Sequence, residues 1–238
     1  MLTLVIFDLF LLLVIALLLV IVKKTIKSDK AQNILLLVAA LITIVFHYSS
    51  FIYHLVSNGD YISYLRNNPN LILPIYPCNL VMWSCLILGL MKNKESNFAK
   101  LVIDYVFWFG IISTLVGMLV NVDFIKNPTL LDYEITKSIV AHATLMFNVL
   151  LLPLFGKIKI NFKRNMINMS VSVTIMYVIG LYCNLMFETL VSKQEAYNVN
   201  SMFIIHSPFD GLDFLTYPTI SILALVLYAI IFAIGEFF

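Results

Sequence analysis

The sequence predicts an all-α membrane protein, a polytopic bundle of seven transmembrane helices with the amino terminus outside and the carboxyl terminus inside the cell. Three observations carry this expectation: the composition, the length of the apolar runs and the alternation of charge between them. Of the 238 residues, 61% are hydrophobic and 12% charged, a balance that no soluble domain of this size can hide from water. A spanning helix needs about 20 mostly apolar residues to cross roughly 30 Å of hydrocarbon. The chain supplies that length repeatedly, at residues 2–22, 31–56, 72–91, 99–122, 136–155, 166–191 and 214–238.

The connecting segments set the orientation. The first carries Lys23, Lys24, Lys27 and Lys30, the third Lys92, Lys94 and Lys100, and the fifth Lys157, Lys159, Lys163 and Arg164. These three face the cytoplasm. The even-numbered connections carry Asp60, Asp123, Asp132, Glu134, Glu195, Asp210 and Asp213 against Arg66, Lys126 and Lys193, and they face outward. One span more or fewer would put basic and acidic loops on the same side. The first apolar run has no basic residue before it and no small-residue cleavage site, so it reads as a retained helix rather than a secretory signal. With no low-complexity tract and no internal repeat, residues 1–238 form a single transmembrane domain in a cell membrane. The net charge of +2 reflects topology; it points to membrane lipids as partners and gives no reason to propose nucleic acid.

Polar residues inside spans are costly and therefore informative. On the second span Thr43, His47, Ser50, His54 and Ser57 fall on one stripe by helical spacing, directed at protein or water. The sixth repeats the pattern with Ser170, Thr174, Tyr177, Asn184 and Glu188. His142, about 9 Å below the outer end of the fifth span by helical rise, joins the same layer. Such groups also hold helices together by hydrogen bonds with no further role. The outward segments 58–71 and 192–213 are long enough to cover a site. The second contains Asn200, Ser201, Met202, Phe203, Ser207, Pro208, Asp210 and Gly211.

The segment Leu73-Pro74-Ile75-Tyr76-Pro77-Cys78-Asn79 is the sharpest local feature. Pro77 suits the first position of a helix, which puts Cys78 in the first turn. There, unpaired N–H groups and the helix dipole favour a thiolate and can receive the oxyanion of an attacked ester. A cysteine nucleophile needs a base, and His142 is the preferred one, with His47 and His54 as rivals. The bland alternative is that Cys78 packs as a small apolar residue. Cys85 and Cys183 also fall inside spans, so no extracellular disulfide framework is written here. His47 and His54 are two turns apart, about 10 Å, too far to share one zinc easily. With no HExxH or CxxC in the chain, no metal or other cofactor is called for.

At these residues the sequence resembles the YwaF-like integral membrane family, which is similar to the eukaryotic transmembrane acyltransferases that remodel ether phospholipids. The resemblance rests on residues 73–79, on Ala141-His142 with Pro153 toward the end of that helix, and on Asn200-Ser201-Met202-Phe203 with Ser207-Pro208 and Leu215-Thr216-Tyr217-Pro218. It implies about seven helices and, for the eukaryotic relatives, acyl transfer through a cysteine thioester assisted by histidine. Here Tyr76 and Asn79 stand where a histidine near the cysteine is often found, so His142 must carry the role of base. The expected function is a lipid acyltransferase or acyl hydrolase near the outer leaflet. In it Cys78 attacks a phospholipid ester, His142 serves as base, Asn79 positions the carbonyl, and Glu188 or His47 orients the base. His54, Asn184 and Asn200 complete the supporting set. The runner-up is a small-molecule transporter or receptor-like protein whose polar stripes line an outward cavity. A helper subunit with its polar stripe on the outside of the bundle is a third.

Overall fold

A computed structural model describes residues 2–58, 61–67, 71–119, 129–207 and 211–237, and among them there is no β-strand. The loop charges Asp60, Asp123, Lys126 and Asp210, Pro208, and the ends expected for the fourth and seventh spans at residues 120–122 and 238 lie outside the described residues. The helices are α1 (Leu2–Thr25), α2 (Asp29–Asn58), α3 (Tyr61–Asn67), α4 (Pro77–Leu90), α5 (Asn97–Leu119), α6 (Tyr133–Leu154), α7 (Phe162–Leu190), α8 (Lys193–Val199) and α9 (Thr219–Phe237), with a 3₁₀ turn at Ser201–Phe203.

Six of these, α1, α2, α5, α6, α7 and α9, are long and apolar enough to cross a membrane. The chain is a multi-pass integral membrane protein. The third expected span departs from the reading over residues 72–91, because α4 has only 14 residues and starts at Pro77. At 1.5 Å per residue it extends about 21 Å, less than the thickness of the hydrocarbon. Pro77 is the reason for the late start, since its fixed φ suits a first helical position and its ring would clash with a preceding turn. The last span likewise begins at Thr219, just after Pro218, rather than at Phe214.

Two compact units make up the chain. The first, Met1–Leu71 with Val81–Ile158, centres on α6, which packs on α1, α2 and α5. Asp132 caps α6, its carboxylate accepting from the N–H groups of Glu134 (2.8 Å) and Ile135 (3.3 Å). Asp132 and Glu134 are therefore the cap and first turn of the helix rather than loop charges. Leu4 packs on Ile135 and Ile139, while Ile15 packs on Met118, Ala143 and Met146. The opposite face of α1 leaves Val5, Ile6, Leu9, Phe10 and Leu13 exposed, a surface that requires lipid.

The second unit, Ile72–Leu80 with Lys159–Phe238, is built on α7, which packs on α8, α9 and the 3₁₀ turn. Asn161 caps α7 and Ser192 caps α8, Ser192 accepting from the N–H of Glu195 at 3.1 Å. The buried face of α7 is Asn165, Met169, Ser172, Gly180, Cys183, Asn184 and Phe187. This corrects the polar stripe expected on the sixth span: Ser170, Thr174 and Glu188 are exposed. Thr174 Oγ1 donates to the Ser170 carbonyl at 2.9 Å, so its hydroxyl is satisfied within the helix and needs no inward position.

Candidate functional site

In the second unit the chain approaches Cys78 as irregular backbone, and Ile75, 1% exposed, anchors it in a cluster with Cys183, Phe187, Ala196 and Val199. The start of α4 is closed by a reciprocal cap. Asn79 Oδ1 accepts from the Tyr76 N–H at 3.1 Å, while the Tyr76 carbonyl accepts from the N–H groups of Asn79 (3.0 Å) and Leu80 (3.4 Å). The carboxamide oxygen of Asn79 thus holds the helix start, a structural task beside the carbonyl-positioning one expected of it. Cys78 lies in this turn, half-buried and reduced.

A second segment braces this turn. The Ile75 carbonyl accepts both the Ser201 hydroxyl (3.0 Å) and the Met202 N–H (2.8 Å). Ser201 is held in turn by Asn184, whose Oδ1 accepts the Ser201 N–H at 2.8 Å and whose Nδ2 donates to the Ser201 carbonyl at 3.3 Å. Asn200 makes the bend, with φ at +43°, a left-handed conformation that asparagine tolerates better than most residues. Its carboxamide accepts from the N–H groups of Ile205 (2.9 Å) and His206 (3.3 Å) and donates to the His206 carbonyl (2.8 Å). Gly180 lets the loop lie close on α7: a Cβ there would stand 2.9 Å from Met202 Cβ and 2.5 Å from Ile204 Cδ1. The Tyr76 and Phe203 rings stack at 5.8 Å. Asn184 and Asn200 thus build the scaffold of the Cys78 segment. Glu188 lies on an exposed surface, 3.7 Å from Lys193.

The histidines of the sequence reading belong to the first unit. His54 Nε2 lies 3.0 Å from Glu134 Oε1, and Glu134 Oε2 accepts from the Ser50 hydroxyl (2.9 Å) and pairs with Lys137 (3.2 Å). The same α2–α6 seam stacks Tyr53 on Tyr133 at 4.2 Å and bonds the Tyr133 hydroxyl to Ser49 at 2.7 Å. Thr43 and Ser50 of the α2 stripe are buried, whereas Ser57 is exposed. His47 is half-buried one turn below Ser50, its ring edge-on to Tyr48 at 5.1 Å.

His142 stands on α6 with Nδ1 2.8 Å from the Ser138 carbonyl. A carbonyl only accepts, so Nδ1 carries the proton and the neutral ring keeps its lone pair on Nε2. Gly117 of α5 makes room for the ring: a Cβ at 117 would stand 2.2 Å from His142 Cδ2 and 2.3 Å from Nε2.

Sequence reasoning passed over Glu134 as a loop charge and did not single out Ser201 as a brace. It also missed two buried carboxylates inside spans, Asp8 (4% exposed) and Asp104 (2% exposed). A signal was present for both, since an acidic residue within an apolar run is rare.

No curated protein and no solved structure matches the chain. The family model of the TMEM164 family matches residues 1–235, and the chain belongs to that family, a multi-pass membrane family.

Proposed function

We propose that this chain is a seven-span protein of the cell membrane, with its amino terminus outside, that moves or releases acyl groups of membrane lipids through Cys78. The observation that carries the reading is the setting of that thiol. It sits half-buried in the first turn of an apolar helix, its approach segment clamped by Ser201 and Met202. The start of a helix, with its dipole and N–H groups, favours the charge that gathers on an attacked ester oxygen. The resemblance of residues 73–79 to the YwaF-like segment, and through it to ether-phospholipid acyltransferases, supports the same chemistry.

In this reading a general base takes the thiol proton as sulfur attacks the ester carbonyl carbon. The bond from that carbon to the glycerol oxygen breaks, and the leaving oxygen takes the proton back from the protonated base. A lysolipid hydroxyl or water then cleaves the thioester, which makes the protein an acyltransferase or a hydrolase respectively. The test is lipidomics on cells expressing the wild type or Cys78→Ala at matched levels. The reading requires an acyl-chain shift that Cys78→Ala abolishes; identical profiles in the two lines would end it.

A further inference from the structure

In the loop that follows α8, both ring nitrogens of His206 face backbone oxygens. Nδ1 stands 3.0 Å from the Ser207 carbonyl and Nε2 stands 3.1 Å from the Tyr197 carbonyl. A carbonyl only accepts, and a neutral imidazole has a single N–H to give. The imidazolium has two, so the protonated ring alone satisfies both contacts. When the ring is neutral, whichever nitrogen keeps its proton, the other turns a lone pair on a carbonyl oxygen. The Tyr197 ring lies 4.5 Å from the imidazole, a placement that also favours a cation. The Tyr197 carbonyl is open to this contact because it belongs to the last turn of α8. Its helical donor four residues on, the Ser201 N–H, is taken by Asn184 Oδ1 at 2.8 Å.

These contacts close a ring. The Asn200 carboxamide holds the backbone of Ile205 and His206, and the His206 side chain ties the same loop back to α8. Asn200 leads directly into Ser201 and Met202, which bond to the Ile75 carbonyl. We propose that His206 is a proton-operated latch: its imidazolium fastens the 200–207 loop to the end of α8, and loss of the proton releases one of the two carbonyls. Histidine changes charge between about pH 5 and 8, so the latch is closed at the acid end of that range and loosened at the alkaline end. The other charged groups on the packed elements are engaged elsewhere or turned away. Lys193 of α8 pairs with Glu188 of α7 at 3.7 Å. Glu195, two residues before Tyr197, falls on the opposite side of α8 by helical spacing, and Asp213 is exposed. Among the described residues no carboxylate forms an ion pair with His206, so the two carbonyls and the Tyr197 ring are what its charge meets. The latch is independent of any chemistry at Cys78.

The test is hydrogen–deuterium exchange of the full chain in phosphatidylcholine vesicles across this pH range, corrected for the intrinsic pH dependence of amide exchange, comparing the wild type with His206→Gln. In the wild type, protection of the Ile205 and His206 amides should fall by about tenfold or more as pH rises, the scale of one hydrogen bond to a charged group. In His206→Gln it should stay level. If His206→Gln does not fold, nitrogen-15 NMR of histidine-labelled wild type takes its place, with the His206 ring assigned by elimination using His47→Gln, His54→Gln and His142→Gln. The midpoint of the ring's titration should then coincide with the midpoint of the loop's loss of protection. Protection that is level with pH in the wild type, a pH dependence that persists in His206→Gln, or two midpoints that do not coincide overturns the proposal.

Discussion

Asn184 and Ser201 are joined in both directions, the Ser201 N–H donating to Asn184 Oδ1 at 2.8 Å and Asn184 Nδ2 donating to the Ser201 carbonyl at 3.3 Å. Ser201 is fully buried and its hydroxyl holds the Ile75 carbonyl, so this clasp fixes the backbone leading to Cys78. Asn184→Ala leaves a buried donor and a buried acceptor unpaired, a loss of about 2–3 kcal/mol. Ser201→Ala removes one hydroxyl from a carbonyl that still accepts from Met202, about 1 kcal/mol. Thermal unfolding in detergent should therefore rank Asn184→Ala below Ser201→Ala, and alkylation of Cys78 should quicken in the former. Equal melting temperatures would contradict the clasp.

Gly117 and His142 occupy the same space at the α5–α6 contact. Gly117→Ala forces the imidazole to move and should cost about 1–3 kcal/mol by overpacking. His142→Ala opens the space the new methyl needs, so the double variant should be less destabilised than the two single costs added together. A double-mutant cycle that closes to zero would show that the ring gives way freely.

Glu134 gathers Ser50, His54 and Lys137 at the α2–α6 seam. Its carboxylate is 37% exposed, so water screens the ion pairs and the charge itself contributes modestly, about 1 kcal/mol. Glu134→Gln, which keeps an acceptor, should be tolerated better than Glu134→Ala, which strands the Ser50 hydroxyl in a buried position. Added salt should narrow the difference between wild type and Glu134→Gln. A salt-independent difference would assign the effect to packing.

The length of α4 makes the topology testable. If this 14-residue helix crosses together with the six long ones, the chain has an odd number of crossings and its termini lie on opposite faces. Protease protection of epitope tags at the two ends should then find the amino-terminal tag exposed outside and the carboxyl-terminal tag shielded. Both tags on one side would mean that α4 enters and leaves by the same face. The basic connections predict the first outcome.

The long helices were legible because lipid demands unbroken apolar runs, and Pro77 announced the start of α4 through its fixed φ. The same hydropathy reading cut α6 short at Thr136, since it counts Asp132 and Glu134 as outside when they form the cap and first turn. The polar stripe on α2 faces inward at Thr43 and Ser50, but its partner, Glu134, is 80 residues from His54, and the register between two helices is set by packing rather than by either sequence. On α7, helical spacing grouped Ser170 and Thr174 with Asn184, although hydroxyls that bond back to the helix can face lipid and a carboxamide cannot satisfy itself in that way. The role of Asn200 was hidden for a related reason: its left-handed bend is a loop conformation, which periodicity does not report.

Trapping the acyl-enzyme tests the central claim most directly. The purified chain, incubated with phospholipid and quenched in acid, should yield a peptide containing Cys78 that carries an added acyl mass. Hydroxylamine should release that mass, and Cys78→Ala should lack it. A Cys78 peptide that stays unmodified in the wild type, under conditions where the protein remains folded and its lipid is present, would contradict the assignment of this thiol as the nucleophile.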